Sequence, residues 1–250
     1  MTPASALTRC EVLHEDRFLI VVNKPHGLLS HPNPKGGKPQ AAAFEGSYDA
    51  GSRCFTTAAG TVWLMHRLDQ DTSGVLLGAR DEKTAAACRA AFEAEQVRKK
   101  YLALCSGGGS LKPEGVWLDH LITAHAGHQV RTTVRHGLRP NAEAKYRVLE
   151  LNALNRVVLL EIELITGKTH QIRVQAASRQ LPLVGDDVYG SFDLNRKLRK
   201  TLLARRLFLH AHQLTLKHPA SGQQLTITAP LPPDLSAVLE SAGMKAVEGR

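Results

Sequence analysis

The pattern of apolar and polar positions predicts strands along most of the chain. The predicted segments alternate apolar and polar residues or carry runs of β-branched residues, and Gly, Pro, Asn or Ser bounds them. Strands are predicted at Glu11–Asn23, Val75–Leu77, Val97–Cys105, Ala144–Leu151 and Val157–Thr166, and hairpins at Leu118–Val134 and between Leu207–Leu216 and Gln224–Thr228. Most connections are short, which favours antiparallel neighbours.

Three segments have helical signals. Asp81–Gln96 is rich in Ala and acidic in its first turn. Thr169 is a suitable N-cap for a helix that runs to about Arg179. A short closing helix is predicted after Asp234, with Leu235, Val238 and Leu239 on one face. Strands interleaved irregularly with a few helices predict an α+β fold.

Between His31 and Gly60 the pattern weakens into Gly, Pro, Ser and Lys. We interpret this segment as a long loop with at most one short helix near Gln40–Phe44. A loop of more than about 15 residues in a compact domain is functional, mobile or an insertion.

Composition restricts the class of protein. The 250 residues are 43% hydrophobic and 22% charged, as in soluble globular proteins of one or two domains. No apolar run approaches the ~18 residues of a membrane span, and the first nine residues lack the apolar core of a signal peptide. Cys10, Cys54, Cys88 and Cys105 are scattered, which argues against a disulfide framework and a zinc knuckle. We therefore expect a cytoplasmic protein without a membrane partner.

The net charge of +9, from 32 Lys and Arg against 23 Asp and Glu, favours a polyanionic partner such as a nucleic acid. Aromatic residues make up only 5% of the chain, and no aromatic-rich stacking motif is present. Stacking of single-stranded bases across a sheet is therefore a poor fit.

One polar stretch concentrates chemical groups. Met65–Gly74 contains His66, Arg67, Asp69 and Asp71, and it lies between apolar segments, as a loop between two strands would. The alternative is that the two carboxylates only bond backbone amides in a turn.

Histidine clusters offer a metal site as a second alternative. The best groupings are His210 and His212 with His218, or His120, His125 and His128. Two histidines at alternate positions of a strand share a face, as a zinc site would need.

Four ordered motifs resemble those of the RluA family of pseudouridine synthases, and together they cover roughly residues 11 to 230. His66–Gly74, with the sequence HRLDQDTSG, is similar to the family's signature loop, written His-Arg-Leu-Asp-x-x-Thr-Ser-Gly. The other motifs are Asn23–Gly27, then Lys99 with Lys100–Ala103, and then Thr166–Arg173 followed by Gly185-Asp186 and Tyr189-Gly190. His210 to His218 also lies in a stretch that resembles the family, which favours a structural role for these histidines.

The resemblance implies the fold of that family: a mixed, mostly antiparallel central sheet with flanking helices and an RNA-binding cleft. We expect one catalytic domain over residues 11–232, terminal segments at 1–10 and 233–250, and no separate N-terminal RNA-binding domain. The 31–60 segment either helps to hold RNA or is a simple insertion.

The resemblance also implies an activity, the isomerisation of uridine to pseudouridine in ribosomal or transfer RNA by a monomer that needs no cofactor or metal. Asp69 matches the catalytic carboxylate, which acts either as a nucleophile at the ribose or as a base. Arg173 matches its cationic partner, and Tyr101 matches the aromatic residue beside the uracil. A non-catalytic RNA-binding protein has no need of this carboxylate.

RNA contacts are expected from Arg67, which in relatives helps to displace the target base, and from His66, Lys99, Lys168, His170 and Gln171. Three positions depart from the family pattern: Lys168 stands for Arg, Gln175 for His and Ala144 for Thr. They concern the choice of substrate more than the chemistry.

Overall fold

The computed structural model describes residues 7–32, 41–108, 111–126 and 129–245. Within these ranges it describes every side chain except those of residues 125, 126 and 129. The strands are β1 Glu11–Glu15, β2 Leu19–Lys24, β3 Ser47–Asp49, β4 Cys54–Thr57, β5 Gly60–Leu64, β6 Ser73–Ala79, β7 Arg98–Ser106, β8 Glu114–Ala126, β9 Gln129–Arg135, β10 Ala142–Asn152, β11 Val157–Leu164, β12 Leu209–Lys217 and β13 Gln224–Thr228. The helices are α1 Glu82–Glu93, α2 Gln171–Ala177, α3 Phe192–Thr201 and α4 Pro233–Ser241. Within these described ranges, no helix has the length and apolar character needed to cross a membrane.

The described residues form two compact units. The first unit draws on Met1–Arg98 and Ala211–Ala229, and the second on Lys99–His210 and Pro230–Arg250. The single catalytic domain over residues 11–232 stays a prediction.

In the first unit the strand order is β3-β4-β5-β6-β12, with β2 paired to β6, β1 to β2 and β13 to β12. The partners β1–β2, β2–β6, β4–β5, β5–β6 and β12–β13 are antiparallel. Helix α1 covers this sheet with Ala85 and Cys88, which pack with Leu19, Val75 and Leu77 in a buried apolar core. The core fixes both strands that flank the Met65–Gly74 loop.

In the second unit the strand order is β7-β11-β10-β8-β9, with antiparallel partners throughout. Helices α3 and α4 pack Leu198, Leu202, Leu235 and Leu239 against Leu104 and Leu159 of the sheet. A smaller cluster, formed by Leu121, Ala142 and Val174, attaches α2 to β8 and β10. The predicted α+β fold is confirmed.

Several predicted elements are confirmed at nearly their predicted bounds: α1, β7, the β8–β9 and β12–β13 hairpins, β10, β11 and α4. Their signals are local. Asp81, for example, accepts a hydrogen bond from the Thr84 amide at 2.8 Å and so caps α1.

The prediction of one strand over Glu11–Asn23 is wrong, because the segment is the hairpin of β1 and β2. Its turn is closed by Asp16, whose carboxylate accepts hydrogen bonds from the amides of Phe18 and Leu19, both at 2.7 Å. A carboxylate that bonds amides two and three residues ahead replaces the lost strand hydrogen bonds.

The prediction of a long loop over residues 31–60 is also wrong for the second half of that segment, which forms the β3–β4 hairpin. Phe55 is fully buried there, and its ring lies 4.7 Å from that of Tyr48. Gln40 lies outside the described residues, and 41–44 contain no helix.

One helix prediction needs correction, and one helix was not predicted. The N-cap of α2 is His170, in the left-handed region at φ 55° and without a side-chain capping bond, so Thr169 does not cap it. Helix α3, which the sequence analysis did not predict, is capped by Ser191 and buries Asn195 and Leu198.

Candidate active site

The polar loop of the first unit connects β5 to β6 and is held by reciprocal hydrogen bonds. The Leu68 amide donates to Ser30 Oγ at 2.9 Å, and that hydroxyl donates back to the Leu68 carbonyl at 2.8 Å. The Thr72 amide donates to the backbone carbonyl of Asp69 at 3.1 Å, which closes a turn. Asp69 is thus fixed through its main chain.

The side chain of Lys24 supports the same loop. Its side chain is fully buried, and its ammonium donates to the carbonyls of Leu28 at 2.7 Å, Pro25 at 3.0 Å and Gln70 at 3.1 Å. Gly27 and Gln70 form two more hydrogen bonds with each other. The Gly27 amide donates to the Gln70 backbone carbonyl at 2.9 Å, and the Gln70 side chain donates to the Gly27 carbonyl at 3.0 Å. The Asn23–Gly27 motif therefore supports the signature loop, a role that its sequence alone did not indicate.

Gly74 closes the loop where β6 approaches β12. Its φ of 116° is in the region that favours glycine, and a Cβ there would lie 2.2 Å from the Ala211 carbonyl oxygen. The backbone thus requires the glycine that ends the signature.

The charged residues of the loop differ in exposure. Asp69 is half-buried, whereas Arg67 and Asp71 are exposed. The carboxylate of Asp71 lies 3.9 Å from the His26 ring. His66 accepts a hydrogen bond from the Leu77 amide at its Nε2, at 3.1 Å, so in this state its proton is on Nδ1. The two aspartates of the loop are therefore in different environments.

We expect Lys24→Met to loosen the loop and to destabilise the protein by about 3 kcal/mol, because three carbonyls lose a buried, charged donor. The pseudouridine formation that the motif resemblance predicts should fall with it, since Gln70 follows Asp69 directly. The measurements are urea unfolding and turnover on RNA. The exposed Lys83→Met on α1 is the control, and equal stability of the two variants would contradict this role of Lys24.

In the second unit, Tyr101 lies on β7 opposite Ile162 of β11 and is 7% exposed. Lys99 is half-buried, and its Nζ lies 3.8 Å from where a Cβ of Gly167 would be. The Lys99 ammonium therefore lies beside the turn that leads into α2.

Arg173 of α2 forms a buried, bidentate ion pair with Asp186. The Arg173 Nε and Nη2 donate to the two carboxylate oxygens at 2.7 and 2.8 Å, and the side chains are 5% and 0% exposed. Burial alone would raise the pKa of Asp186, but the Arg173 guanidinium and the amides of Val188 and Tyr189 lower it overall. Asp186 is therefore ionised at neutral pH and holds Arg173 in one geometry.

Tyr189 links this ion pair to His170. Its ring lies 5.2 Å below the Arg173 guanidinium. Its hydroxyl accepts a hydrogen bond from the Thr132 amide at 2.9 Å and lies 2.9 Å from His170 Nδ1. These contacts fix the His170 ring at the start of α2, while Lys168 beside it is exposed.

Two buried glutamines complete the support of α2. Gln171 is 2% exposed, and its side-chain carbonyl accepts hydrogen bonds from the Lys168 amide at 3.0 Å and the Thr166 hydroxyl at 2.9 Å. Gln175, one of the departures from the family pattern, donates to Asp119 at 2.8 Å. Both side chains bond to the protein itself, and direct contact of Gln171 with RNA stays a prediction.

At least three of the six histidines proposed for a metal site have structural partners in the described part of the chain. His218 lies 2.9 Å from Asp16 Oδ2, His212 lies 3.0 Å from the Ala229 carbonyl, and His120 lies 2.7 Å from the Arg139 carbonyl. His128 lies outside the described residues. Among the residues that are described, no three His, Cys, Asp or Glu groups converge as a metal would require.

Ser30 and Asp186 are functional residues whose roles the motifs do not indicate. Asp186 had a signal, since it lies in the third motif, but its partner is thirteen residues away. Ser30 had none, because its partner Leu68 is 38 residues away.

A family model described as RNA pseudouridylate synthase matches residues 18–178 of the chain. Among curated proteins, the ribosomal large subunit pseudouridine synthase D of Xanthomonas campestris is 36% identical over 239 residues, covering 92% of this chain and 68% of that protein. The protein of the same name from Nitrosomonas europaea is 35% identical, and the alignment covers 92% of this chain and 64% of that protein.

Among solved structures, human RNA pseudouridylate synthase domain containing 4 is similar with a TM-score of 0.69. It is 26% identical, and the match covers 97% of this chain and 96% of that chain.

Proposed function

The chain belongs to the RNA pseudouridylate synthase family, of the RluA type that its motifs predicted, and we propose that it modifies uridines of large-subunit ribosomal RNA with Asp69 as the reacting carboxylate. Its reaction class, the isomerisation of uridine in RNA, follows from the family. The choice of ribosomal RNA is supported by the names of the Xanthomonas and Nitrosomonas relatives. We place the reaction in the cytoplasm.

The chemistry needs one carboxylate. The bond between uracil N1 and the ribose C1′ breaks, the base rotates, and a bond between C5 and C1′ forms while a proton leaves C5 and N1 gains one. No atom or electron is gained overall, so the step needs no redox partner. Asp69 either attacks C1′ as a nucleophile or removes the proton from C2′, and both routes require its ionised form.

The observation that carries the assignment is the way in which the signature loop is built. Ser30, Lys24 and Gln70 fix the main chain on both sides of Asp69 through hydrogen bonds, of which the one between Ser30 and Leu68 is buried. The backbone that carries the half-buried Asp69 is thereby held in one position, and a reacting group on a fixed backbone meets a lower entropic barrier. A carboxylate needed only for a surface turn would not need this support.

Arg173 and Tyr101 are proposed for the same reaction, Arg173 as the cation for Asp69 and Tyr101 beside the uracil. Supporting this, Arg173 is held by two hydrogen bonds to Asp186 and by the Tyr189 ring, so its charge has a fixed place. The buried position of Tyr101 suits contact with an extruded base, which must be shielded from water.

RNA contacts are proposed for Arg67, His66, Lys99, Lys168, His170 and Gln171. Arg67 and Lys168 are exposed, as side chains that meet phosphate or fill the place of an extruded base must be. Gln171, which is buried, would act through the Lys168 amide that it accepts from.

The target is tested by mapping pseudouridines in ribosomal and transfer RNA from cells with and without this protein. We expect specific large-subunit ribosomal positions to lose the modification and to regain it with the native gene but not with Asp69→Asn. Loss confined to transfer RNA would reject ribosomal RNA as the target. Unchanged pseudouridine in both pools would reject the proposed function.

A further inference from the structure

Helix α3, which the motifs do not include, concentrates positive charge. The segment Leu194–Arg206 contains six Arg and Lys residues and no Asp or Glu. Arg196 pairs with Asp193 at 3.0 Å, and Arg206 pairs with Asp234. Within the described part of the chain, no carboxylate pairs with Lys197, Arg199, Lys200 or Arg205, and all four are exposed.

The helix presents these cations on one side. Residues three and four apart share a helix face, so Arg196, Lys197, Arg199 and Lys200 cover the side opposite Leu198 and Leu202. Leu198 and Leu202 are 4% and 1% exposed and pack in the core of the second unit. The main apolar face of α3 is therefore already occupied, and only its cationic face is available to a partner.

A cavity of about 650 Å³ lies beside α3. Lys197 and Thr201 line it from the helix, Arg156 and Asn155 from the β10–β11 turn, and Ser106 and Gly107 from the end of β7; its described lining contains no carboxylate. Arg156 is exposed and in the left-handed region at φ 52°. The cations Lys197 and Arg156 thus belong to one concave, positively charged surface.

The cavity adjoins the third motif on one side, where Tyr189 and Gly190 also line it, but it is separated from Tyr101 of the same unit. Tyr101 precedes Ser106 by five positions on β7, which is about 16 Å along a strand at ~3.3 Å per residue. The cavity is therefore at the far end of the strand from the uracil position.

We propose that the α3 basic surface, formed by Arg156, Lys197, Arg199 and Lys200, binds the phosphate backbone of a folded segment of the substrate RNA beyond the target uridine. Helix α3 is about 15 Å long, so its row of cations meets several successive phosphates. Contacts to phosphates position a protein without reading sequence. A lipid surface fits less well, because a membrane-bound basic helix needs a free apolar face. Phe192, which is exposed in the first turn, instead lies against Arg196, 5.8 Å from its guanidinium.

This inference rests on the proposed function only in taking RNA as the polyanion, and its test is binding rather than catalysis. The triple variant Lys197→Gln, Arg199→Gln, Lys200→Gln is compared with native protein on a short RNA duplex, by fluorescence anisotropy between about 50 and 200 mM salt. We expect about tenfold weaker binding and a slope of log affinity against log salt smaller by about 2.

The matched control removes three exposed cations from β9 and β10 of the same unit, as Arg131→Gln, Arg135→Gln, Lys145→Gln. It should change affinity less than twofold, and both variants should melt like native protein. On ribosomal RNA transcripts the α3 variant should show a raised KM with an unchanged kcat.

An unchanged salt slope in the α3 variant, or an equal loss in the control, would overturn the inference. Binding to phosphatidylserine–phosphatidylcholine vesicles that the α3 changes abolish, with duplex binding intact, would assign the surface to lipid and overturn it too. If native protein makes no pseudouridine, the proposed function fails, whereas the RNA-binding result is unaffected.

Discussion

Asp69→Asn is expected to reduce pseudouridine formation by about 10⁴-fold or more, equivalent to at least ~5 kcal/mol of barrier. The amide keeps the shape of the side chain and removes the charge that both proposed routes require. The loop itself should be unchanged, because the bonds that hold it use the main chain of Leu68, Asp69 and Gln70. RNA affinity and thermal stability should therefore stay close to native values.

Asp71→Asn is the matched control. It removes the same charge from the same loop two residues away, but from an exposed side chain beside His26. We expect only a few-fold loss of turnover. Purified variants are compared on one defined RNA, with melting curves to exclude unfolding. A folded Asp69→Asn protein that still makes pseudouridine at a comparable rate would show that the carboxylate is wrongly assigned.

The parts of the fold that the sequence predicted have their signals within a few consecutive residues. The first half of β10 and the second half of β11 alternate, and Asp81 caps the helix that begins one residue later. The β3–β4 hairpin was missed because its strands are three and four residues long. Helix α3 had a usable signal in Leu194, Leu198 and Leu202, which repeat every four residues. Its many Lys and Arg residues, however, are also typical of a polar loop.

The candidate site shows the same limit. Motifs identified Asp69, Tyr101 and Arg173 as residues of interest, but they do not show which groups bond to which. The bonds from Lys24 to Gln70 and from Ser30 to Leu68 join segments about 40 residues apart, and only the fold brings them together. Asp186 was visible as part of a motif, yet its pairing with Arg173 depends on where α2 lies.

Removing one partner of the Arg173–Asp186 pair is expected to destabilise the protein by about 3 to 5 kcal/mol, because a buried charge is left without its counter-charge. Arg173→Met and Asp186→Asn should each have this effect, and Arg173→Met should also abolish activity. The double variant should lose less stability than the sum of the two, with a coupling of about 1 to 3 kcal/mol. If the stability loss of the double variant equals the sum of the two single losses, Arg173 and Asp186 do not stabilise the protein through their interaction.

The pH dependence of stability provides a second measurement on the same pair. The folded protein lowers the pKa of Asp186, so its contribution is complete above the unfolded carboxyl pKa of about 3.9 and is lost as pH falls through the lower folded value. The difference in unfolding free energy between native protein and Asp186→Asn should therefore shrink as the pH falls below about 4.

Activity of the double variant separates a structural role of Arg173 from a chemical one. If Arg173 only neutralises Asp186, the double variant Arg173→Met, Asp186→Asn should regain activity along with stability. We expect stability to return in part and pseudouridine formation to remain absent, because we propose that Arg173 supplies the cation for Asp69. Arg173→Lys keeps a charge but loses the bidentate geometry, and it should retain more activity than Arg173→Met. An active double variant would show that Arg173 acts only by holding Asp186.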